Sequence, residues 1–327
     1  MRILVLGGTQ FVGRHVVDTA LSRGHDVTLF NRGQTRPDLF PGVEKLRGDR
    51  DGDLSALAGR SFDAVVDTSG YVPRVVQATL DALPDVGHYT FVSTMSVYSD
   101  ESRADGEEGA VAQLPEETEE VRYDTYGALK GLCEDAVRSR FPNAFIPRPG
   151  LIVGPWDHTG RFTYWPQRFA AGGRVLAPAP PEAPVQVLDV RDLAIWTIDA
   201  AEEELAGTYN AVSPTQTMEQ VFETCREVGA VPAEIVWVEP AFLVANEVGP
   251  WMELPLWLGD EEDDSFMRAP VTRALGAGLQ IRPLAETVRA TLDWVQRGEA
   301  PTDPPAGLAR EKEQALFAAW DLLGSPA

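Results

Sequence analysis

The chain of 327 residues is short of cysteine, histidine, lysine and long apolar runs. Its two cysteines, Cys133 and Cys225, stand far apart. They fit no metal-ligand spacing and read as small apolar core residues rather than a disulfide. The four histidines, His15, His25, His88 and His158, are scattered, so no constellation points to zinc or another catalytic metal. Behind Arg2, the run Ile3-Leu4-Val5-Leu6 is too short for a secretion signal. No stretch approaches the length that a bilayer demands. The expectation is a cytoplasmic protein with no membrane partner.

Positive charge is scarce as well. There are 28 basic residues against 50 acidic ones, a formal net charge of −22. Phosphate backbones and anionic membranes are held by Lys and Arg, so a nucleic-acid partner is not expected. The charge reads first as a device for solubility. Apolar content is 44% and charged content 24%, ordinary for a globular protein. The length suffices for two domains, or for one with a lobe attached.

Short apolar strands alternate with helical patterns through the first half. Residues 1–6 read as a strand, then a helix from Arg14 to Arg23 is stopped by Gly24. Further strands are expected at His25–Phe30, Val43–Arg47, Asp63–Asp67 and His88–Ser93. Helices are expected at Leu54–Ala58, Val75–Leu83 and Thr125–Arg140, and a last strand at Leu151–Val153. This rhythm predicts βαβ units and a parallel sheet covered on both faces. Residues 100–120 interrupt it with nine acids and one arginine and read as an exposed loop. After Gly154-Pro155 the chain turns richer in tryptophan and proline, as a smaller, less regular lobe would be. The fold class is α/β: a Rossmann-type doubly wound parallel sheet with an irregular C-terminal substrate lobe. The expected dinucleotide-binding domain is residues 1–153, with 185–212 returning to it; 154–184 and 213–327 form the lobe.

The first βα turn carries the main signal. Gly7, Thr9, Gln10, Phe11, Val12 and Gly13 lie between the first strand and the first helix. Glycine there lets the backbone approach a pyrophosphate, and the helix N-terminus supplies oriented N–H groups. The second strand ends in Asn31 and Arg32 rather than in an acid that could accept a ribose 2′-hydroxyl. Arg32, with Arg14 assisting, suits a 2′-phosphate, so NADP(H) is favoured over NAD(H). Asp49 after the third strand suits the adenine amino group. Thr68, Ser69 and Gly70 end the fourth strand and could face the cofactor ribose.

Tyr126 and Lys130 are spaced to share one face of a helix. An adjacent cation favours the phenolate, which suits an acid/base near neutral pH. Upstream, the hydroxyl of Thr94, or failing that of Ser96, could bond the reacting oxygen.

Together these residues resemble the extended short-chain dehydrogenase/reductases, the group that contains sugar-nucleotide epimerases and dehydratases. The Gly7–Gly13 turn, Asp49, Ser93-Thr94-x-Ser96-Val97-Tyr98, Tyr126-x-x-x-Lys130, Pro147-Arg148-Pro149-Gly150, Val153-Gly154-Pro155, Asp189–Ala194 and Gly207–Asn210 fall in the family's order. The opening Gly7–Arg14 with Asn31-Arg32-Gly33 looks most like an atypical branch that includes the chloroplast stem-loop-binding proteins. The resemblance implies that Tyr126 is the acid/base, that Lys130 binds the nicotinamide ribose and tunes Tyr126, and that Thr94 holds the substrate oxygen. It implies further that Pro149 to Ile152 flank the nicotinamide. Two departures matter. Gln10 replaces a glycine, and Met95-Ser96 stand where the family's sugar dehydratases carry Asp-Glu, which argues against 4,6-dehydration.

Substrate contacts are expected from Tyr71 and Ser96 and from the lobe, where Trp156, Asp157, His158, Arg161, Tyr164, Trp165 and Arg168 are candidates. The alternative is that the tryptophans simply pack the lobe. Asp260–Asp264 reads as a solvated loop without calcium-ligand spacing. The leading function is an oxidoreductase moving a hydride between nicotinamide and a carbonyl/alcohol carbon of a small molecule. The alternatives are a nucleotide-sugar epimerase with retained NAD and a non-catalytic or RNA-binding relative. Many relatives dimerise through a helix pair of the nucleotide domain, so a homodimer is an open expectation.

Overall fold

A computed structural model describes residues 1–99, 105–259, 264–302 and 304–324. Most of the acidic run Asp260–Asp264 therefore lies outside the described residues, as do residues 100–104 of the acidic loop. In chain order the elements are β1 (Arg2–Leu6), α1 (Phe11–Ser22), β2 (Asp26–Asn31), β3 (Glu44–Arg47), β4 (Phe62–Asp67), α2 (Pro73–Ala82), β5 (Val86–Phe91), α3 (Tyr123–Arg140), β6 (Phe145–Pro149) and β7 (Leu151–Val153). They continue with α4 (Tyr164–Ala170), β8 (Gly173–Pro178), β9 (Pro184–Val185), β10 (Val187–Asp189), α5 (Val190–Glu202), β11 (Gly207–Ala211), β12 (Gln216–Thr217), α6 (Met218–Gly229), β13 (Ala233–Val238), α7 (Pro240–Ala245), α8 (Thr272–Gly276), α9 (Leu284–Gln296) and α10 (Arg310–Gly324). The chain divides into two compact units. Unit 1 comprises Met1–Ile152, Val190–Ser213 and Ala269–Ile281; unit 2 comprises the rest.

Unit 1 is built on a parallel sheet of seven strands in the order β11-β6-β5-β4-β1-β2-β3. Successive side chains of a strand point to opposite faces, so a strand covered on both must be apolar throughout. β1 shows this directly. Leu4 and Leu6 pack with Val76 and Leu80 of α2 and with Cys133 and Val137 of α3. Ile3 and Val5 pack on the other side with Val16, Val17 and Ala20 of α1 and Ala194, Ile198 and Ala201 of α5. Both cysteines are free and buried. The chain leaves β1 towards β2 and β3 on one side and returns to β4 on the other. At such a switch point the connections diverge and leave a crevice beyond the carboxyl ends of the strands.

Local chemistry moves several boundaries from those expected. α1 opens at Phe11, directly after the glycine turn, because Gln10 is extended and already serves as its N-cap. α2 opens on Pro73, whose missing N–H costs nothing in a first turn. β6 runs through Pro147 and Pro149, although proline donates no ladder bond. The Pro147 carbonyl still accepts from Ser93 N at 2.8 Å. The acidic loop is largely exposed over 105–120, yet it is anchored at its base. Ser99 N donates to Ala110 O (2.9 Å) and Ala112 N to Val97 O (2.8 Å). The Glu107 carboxylate accepts from Asn210 N at 2.9 Å.

Unit 2 holds the parallel pair β8–β13 and the antiparallel pair β9–β12. An aromatic core fills it: Trp165, Phe169, Phe222 and Trp237 form a chain with ring centroids 4.2–5.6 Å apart. Trp165 and Trp294 are buried, as the lobe-packing alternative expected of the tryptophans.

Leu4→Ala should destabilise the chain by about 2–5 kcal/mol through lost burial and a cavity. Leu323→Ala, at a residue 71% exposed, should change stability by less than about 0.5 kcal/mol. Urea unfolding followed by circular dichroism compares the two.

Candidate active site

The glycine turn after β1 is tight because backbone meets backbone. A Cβ at Gly13 would lie 2.8 Å from Gly8 N and 2.9 Å from Gly8 Cα. Gly7 has φ 105° and Gly8 has φ 86°, conformations that side chains resist. The result is a bare strand end leading straight into α1, and such a cradle fits a pyrophosphate. Thr9 is buried, Gln10 is exposed, and Phe11 begins the helix at φ 33°. Val12 packs partly buried against the core on the α1 side. From β4, Thr68 Oγ1 and Ser69 Oγ both donate to Leu6 O, at 2.9 and 3.2 Å.

At the end of β2, the Asn31 side-chain amide donates to Gly7 O at 2.7 Å. Its carbonyl oxygen accepts from Gly33 N at 3.0 Å and from the guanidinium of Arg47. Arg32 is exposed beside this arrangement. Sequence reasoning missed Arg47, which ends β3 one position before Gly48. The parallel pairing of Asn31 with Arg47 brings it in, and that pairing is a tertiary fact. Asp49 is exposed, and its Oδ1 accepts from Asp51 N at 3.1 Å, an Asx turn.

At the ends of β4 and β5, Lys130 is 3% exposed. Its Nζ donates to Gly70 O and Val92 O, both at 2.8 Å, and sits 4.0 Å from the centre of the Phe91 ring. Burial pulls the ammonium down from 10.5 to about 8, against the opposing charges of Asp67 and Glu134. The Tyr71 ring lies 5.6 Å from Lys130 Nζ and 6.3 Å from the Tyr126 ring. Thr94 Oγ1 accepts from Ser96 N (3.1 Å) and donates to Ser96 Oγ (3.3 Å), so the two candidate hydroxyls form one local pair. Pro149, at the end of β6, is buried and Ile152 is half-buried.

One turn beyond Lys130 on α3 is a carboxylate that sequence reasoning did not single out. Glu134 accepts from Ser93 Oγ (2.5 Å), from Arg148 Nε and NH2 (2.9 and 2.6 Å) and from Arg138 (2.7 Å). Each residue in this knot adjoins or shares an element with a candidate: Ser93 precedes Thr94, Arg148 precedes Pro149, and Glu134 shares α3 with Lys130. Burial pushes the Glu134 carboxyl up, but Arg148, Ser93 and Arg138 outweigh it and hold it below its ordinary range.

The lobe candidates belong to unit 2. Arg168 needs correcting. It is 4% exposed, its Nε lies 2.8 and 2.9 Å from the two Glu313 oxygens, and its other nitrogens donate to Gly172 O and Arg174 O. A guanidinium engaged on every side inside the core is a structural residue, not a substrate contact. Trp156, at φ 70°, packs its ring 5.7 Å from Trp294. Arg161 Nε donates to Thr159 Oγ1 (3.3 Å), and the Tyr164 hydroxyl is buried. Among the described residues no group of three or more His, Cys, Asp or Glu could hold a metal ion, and no helix is long and apolar enough to cross a membrane.

Comparison with known proteins gives this geometry a context. Residues 3–73 match the model of the NAD dependent epimerase/dehydratase family. The chloroplast stem-loop binding protein of 41 kDa b from Arabidopsis thaliana is 28% identical over 261 residues, which is 73% of this chain and 66% of that protein. Over residues 3–73 the chain is thus similar to the epimerase/dehydratase family. A 3 beta-hydroxysteroid dehydrogenase/Delta 5-->4-isomerase of Mycobacterium tuberculosis is 39% identical over 72 residues, 22% of this chain and 20% of that one. Solved structures share the fold. The Bordetella bronchiseptica enzyme WbmH in complex with NAD+ has a TM-score of 0.69 at 18% identity, covering 91% of this chain and 99% of that one. The UDP-glucose 4-epimerase of Thermus thermophilus in complex with NAD has a TM-score of 0.61 at 19% identity, covering 90% and 99%.

Glu134→Ala would leave Arg148 buried without its counter-charge, at an expected cost of about 3–5 kcal/mol in thermal or urea unfolding. Because the folded carboxyl titrates below its ordinary 4.5, its contribution is present above that pH and fades as pH falls further. Glu134→Gln should flatten this acid limb of the stability curve.

Proposed function

We propose that this chain is a member of the epimerase/dehydratase family and an NADP(H)-favouring oxidoreductase acting on a carbonyl/alcohol carbon of a small molecule. The observation that carries the reading is Lys130, buried one helical turn after Tyr126 at the open ends of β4 and β5. Gly7, Thr9, Gln10, Phe11, Val12 and Gly13 hold the pyrophosphate at the start of α1. Asp49 takes the adenine amino group, Thr68, Ser69 and Gly70 line the ribose side, and Pro149 and Ile152 flank the nicotinamide. When bound, the nicotinamide supplies or takes the hydride. Tyr126 moves the proton: in oxidation it removes the hydroxyl proton as the carbonyl forms, and in reduction it returns one to the new alkoxide. Lys130 keeps a positive charge beside that phenol and binds the nicotinamide ribose. Thr94, with Ser96, holds the substrate oxygen, and Tyr71 contacts the rest of the substrate.

The preference for NADP(H) rests on Asn31, Arg32 and Arg47. A neutral side chain stands where a carboxylate would repel a 2′-phosphate; the Arg47 guanidinium bonds it, and exposed Arg32 follows it in the chain. This corner is basic in a chain of net charge −22. A second reading, an epimerase with retained NAD, is favoured by the fold shared with the NAD-bound UDP-glucose 4-epimerase. The net charge disfavours RNA as a partner, although one relative is a stem-loop binding protein.

Quenching of tryptophan fluorescence by NADPH and by NADH separates these readings. Tight NADPH and weak NADH binding is the expected result, and Arg32→Ala and Arg47→Ala should each weaken NADPH about tenfold or more while sparing NADH. Tight or unexchangeable NADH would favour the epimerase; binding of neither, with capture of an RNA hairpin, would sink the enzymatic reading. Tyr126→Phe should bind cofactor normally and lose about 10²–10⁴-fold in turnover, once a substrate is found by screening sugars, steroids and simple ketones.

A further inference from the structure

Behind Lys130 lies a buried ion pair that the proposed chemistry does not use. Arg50, just after Asp49, places NH1 and NH2 each 2.7 Å from one oxygen of Asp67 at the end of β4. The Asp67 side chain is 0% exposed and that of Arg50 is 11%. Asp67 also accepts from Ser69 N (3.0 Å) and from the Tyr89 hydroxyl (3.2 Å). Arg50 reaches further, to Thr79 Oγ1 (3.1 Å) and Ser69 Oγ (3.3 Å). Apolar residues of similar volume often match a buried pair in stability. Stability alone is therefore a weak account of these two buried charges.

The pair touches the turn that holds Lys130. A Cβ at Gly70 would lie 3.1 Å from Asp67 Oδ2 and 2.6 Å from the Phe91 ring. Gly70 is thus packed directly against both the carboxylate and the Phe91 ring. Its carbonyl accepts from Lys130 Nζ, and the same Phe91 ring faces that ammonium. Asp67, Ser69, Gly70, Phe91 and Lys130 form one packed unit, with Arg50 closing its back.

We propose that Arg50 and Asp67 are positioning residues for Lys130: the pair fixes the Ser69-Gly70 turn whose carbonyl holds the ammonium, and Asp67 places a negative charge behind it. The titratable groups around Lys130 are Asp67 from β4, Arg50 from the turn after β3, Tyr71 from the turn after β4, and Tyr126, Cys133 and Glu134 from α3. Among the charges that keep the amine protonated Asp67 is the largest, and it outweighs the opposing Arg50. The inference rests on Lys130 being the cofactor-side cation, but its test does not need cofactor.

The sequence has only three lysines, Lys45, Lys130 and Lys312, so ¹³C-lysine labelling gives three Cε signals whose titration NMR can follow in the whole chain. Lys130→Arg assigns the signal. The wild-type midpoint is expected near about 8. Asp67→Asn, which keeps the shape, should lower it by about one unit or more, a tenfold weaker hold on the proton. A merely structural pair would change the unfolding temperature and leave the midpoint of the folded protein where it was. A midpoint unchanged within about 0.3 units in a folded Asp67→Asn protein overturns the proposal. If that variant does not fold, the neutral double variant Arg50→Gln/Asp67→Asn removes the buried imbalance and should fold. There the midpoint should still fall, by less, because the opposing guanidinium has gone too; an unchanged or raised value overturns the proposal. The fluorescence titration fails separately: a wild type that binds no dinucleotide sinks the functional reading, while the Lys130 midpoints still decide this one.

Discussion

Burying the Lys130 ammonium constrains the ends of β4 and β5. An ion taken from water must find its hydrogen bonds and its counter-charge in the protein. Two carbonyls, an aromatic face and carboxylates on β4 and α3 meet that demand. They do so only if the ends of β4 and β5 and the helix α3 keep their relative positions. Glycine at 70 is one consequence, because any side chain there would strike Phe91 and Asp67. The position of Ser93, and through it Thr94, is another, since Glu134 grips Ser93 from the helix that carries Lys130.

The parallel sheet makes such register available. Its apolar strands are clamped between α1 with α5 on one face and α2 with α3 on the other. Their carboxyl ends therefore stay fixed, while the connections after them are free to vary in chemistry. At β1 the connection must be nearly bare, since Gly13 rests on the backbone of Gly8. At β2 and β3 it carries Asn31 and Arg47, joined by a hydrogen bond. One frame thus presents a cradle, a basic corner and a buried cation along one edge.

Much of this was legible from residue order, and for a physical reason. A strand buried on both faces has to be an apolar run, and a turn that admits a backbone has to be glycine. Those requirements are local, so β1, the turn and the Tyr126–Lys130 spacing could be read directly. What escaped depends on partners distant in sequence. Arg47 becomes relevant only when β3 pairs with β2. Asp67 looked like the end of a strand until Arg50 met it, and Glu134 like one helix acid among several until Arg148 arrived from β6. Arg168 erred in the opposite sense: an arginine near aromatics suggested a ligand contact, but Glu313, far along the chain, had claimed it. Periodicity carries no information about which charge meets which.

Two buried carboxylates of unit 1 are matched in the same way. Asp67 is matched by Arg50, and Glu134 by Arg148, each through two-nitrogen contacts between planar groups. Such pairs cancel at a distance. Lys130 has no bidentate partner; its own hydrogen bonds go to neutral carbonyls. Its counter-charges, Asp67 and Glu134, are each shared with an arginine, so its charge is compensated only in part. A cation held rigidly, partly desolvated and lacking a dedicated carboxylate exerts more field on a neighbouring oxygen than a surface lysine can. It is also closer to losing its proton, which is why the carboxylates behind it matter: they are placed to keep it charged without neutralising it by direct contact.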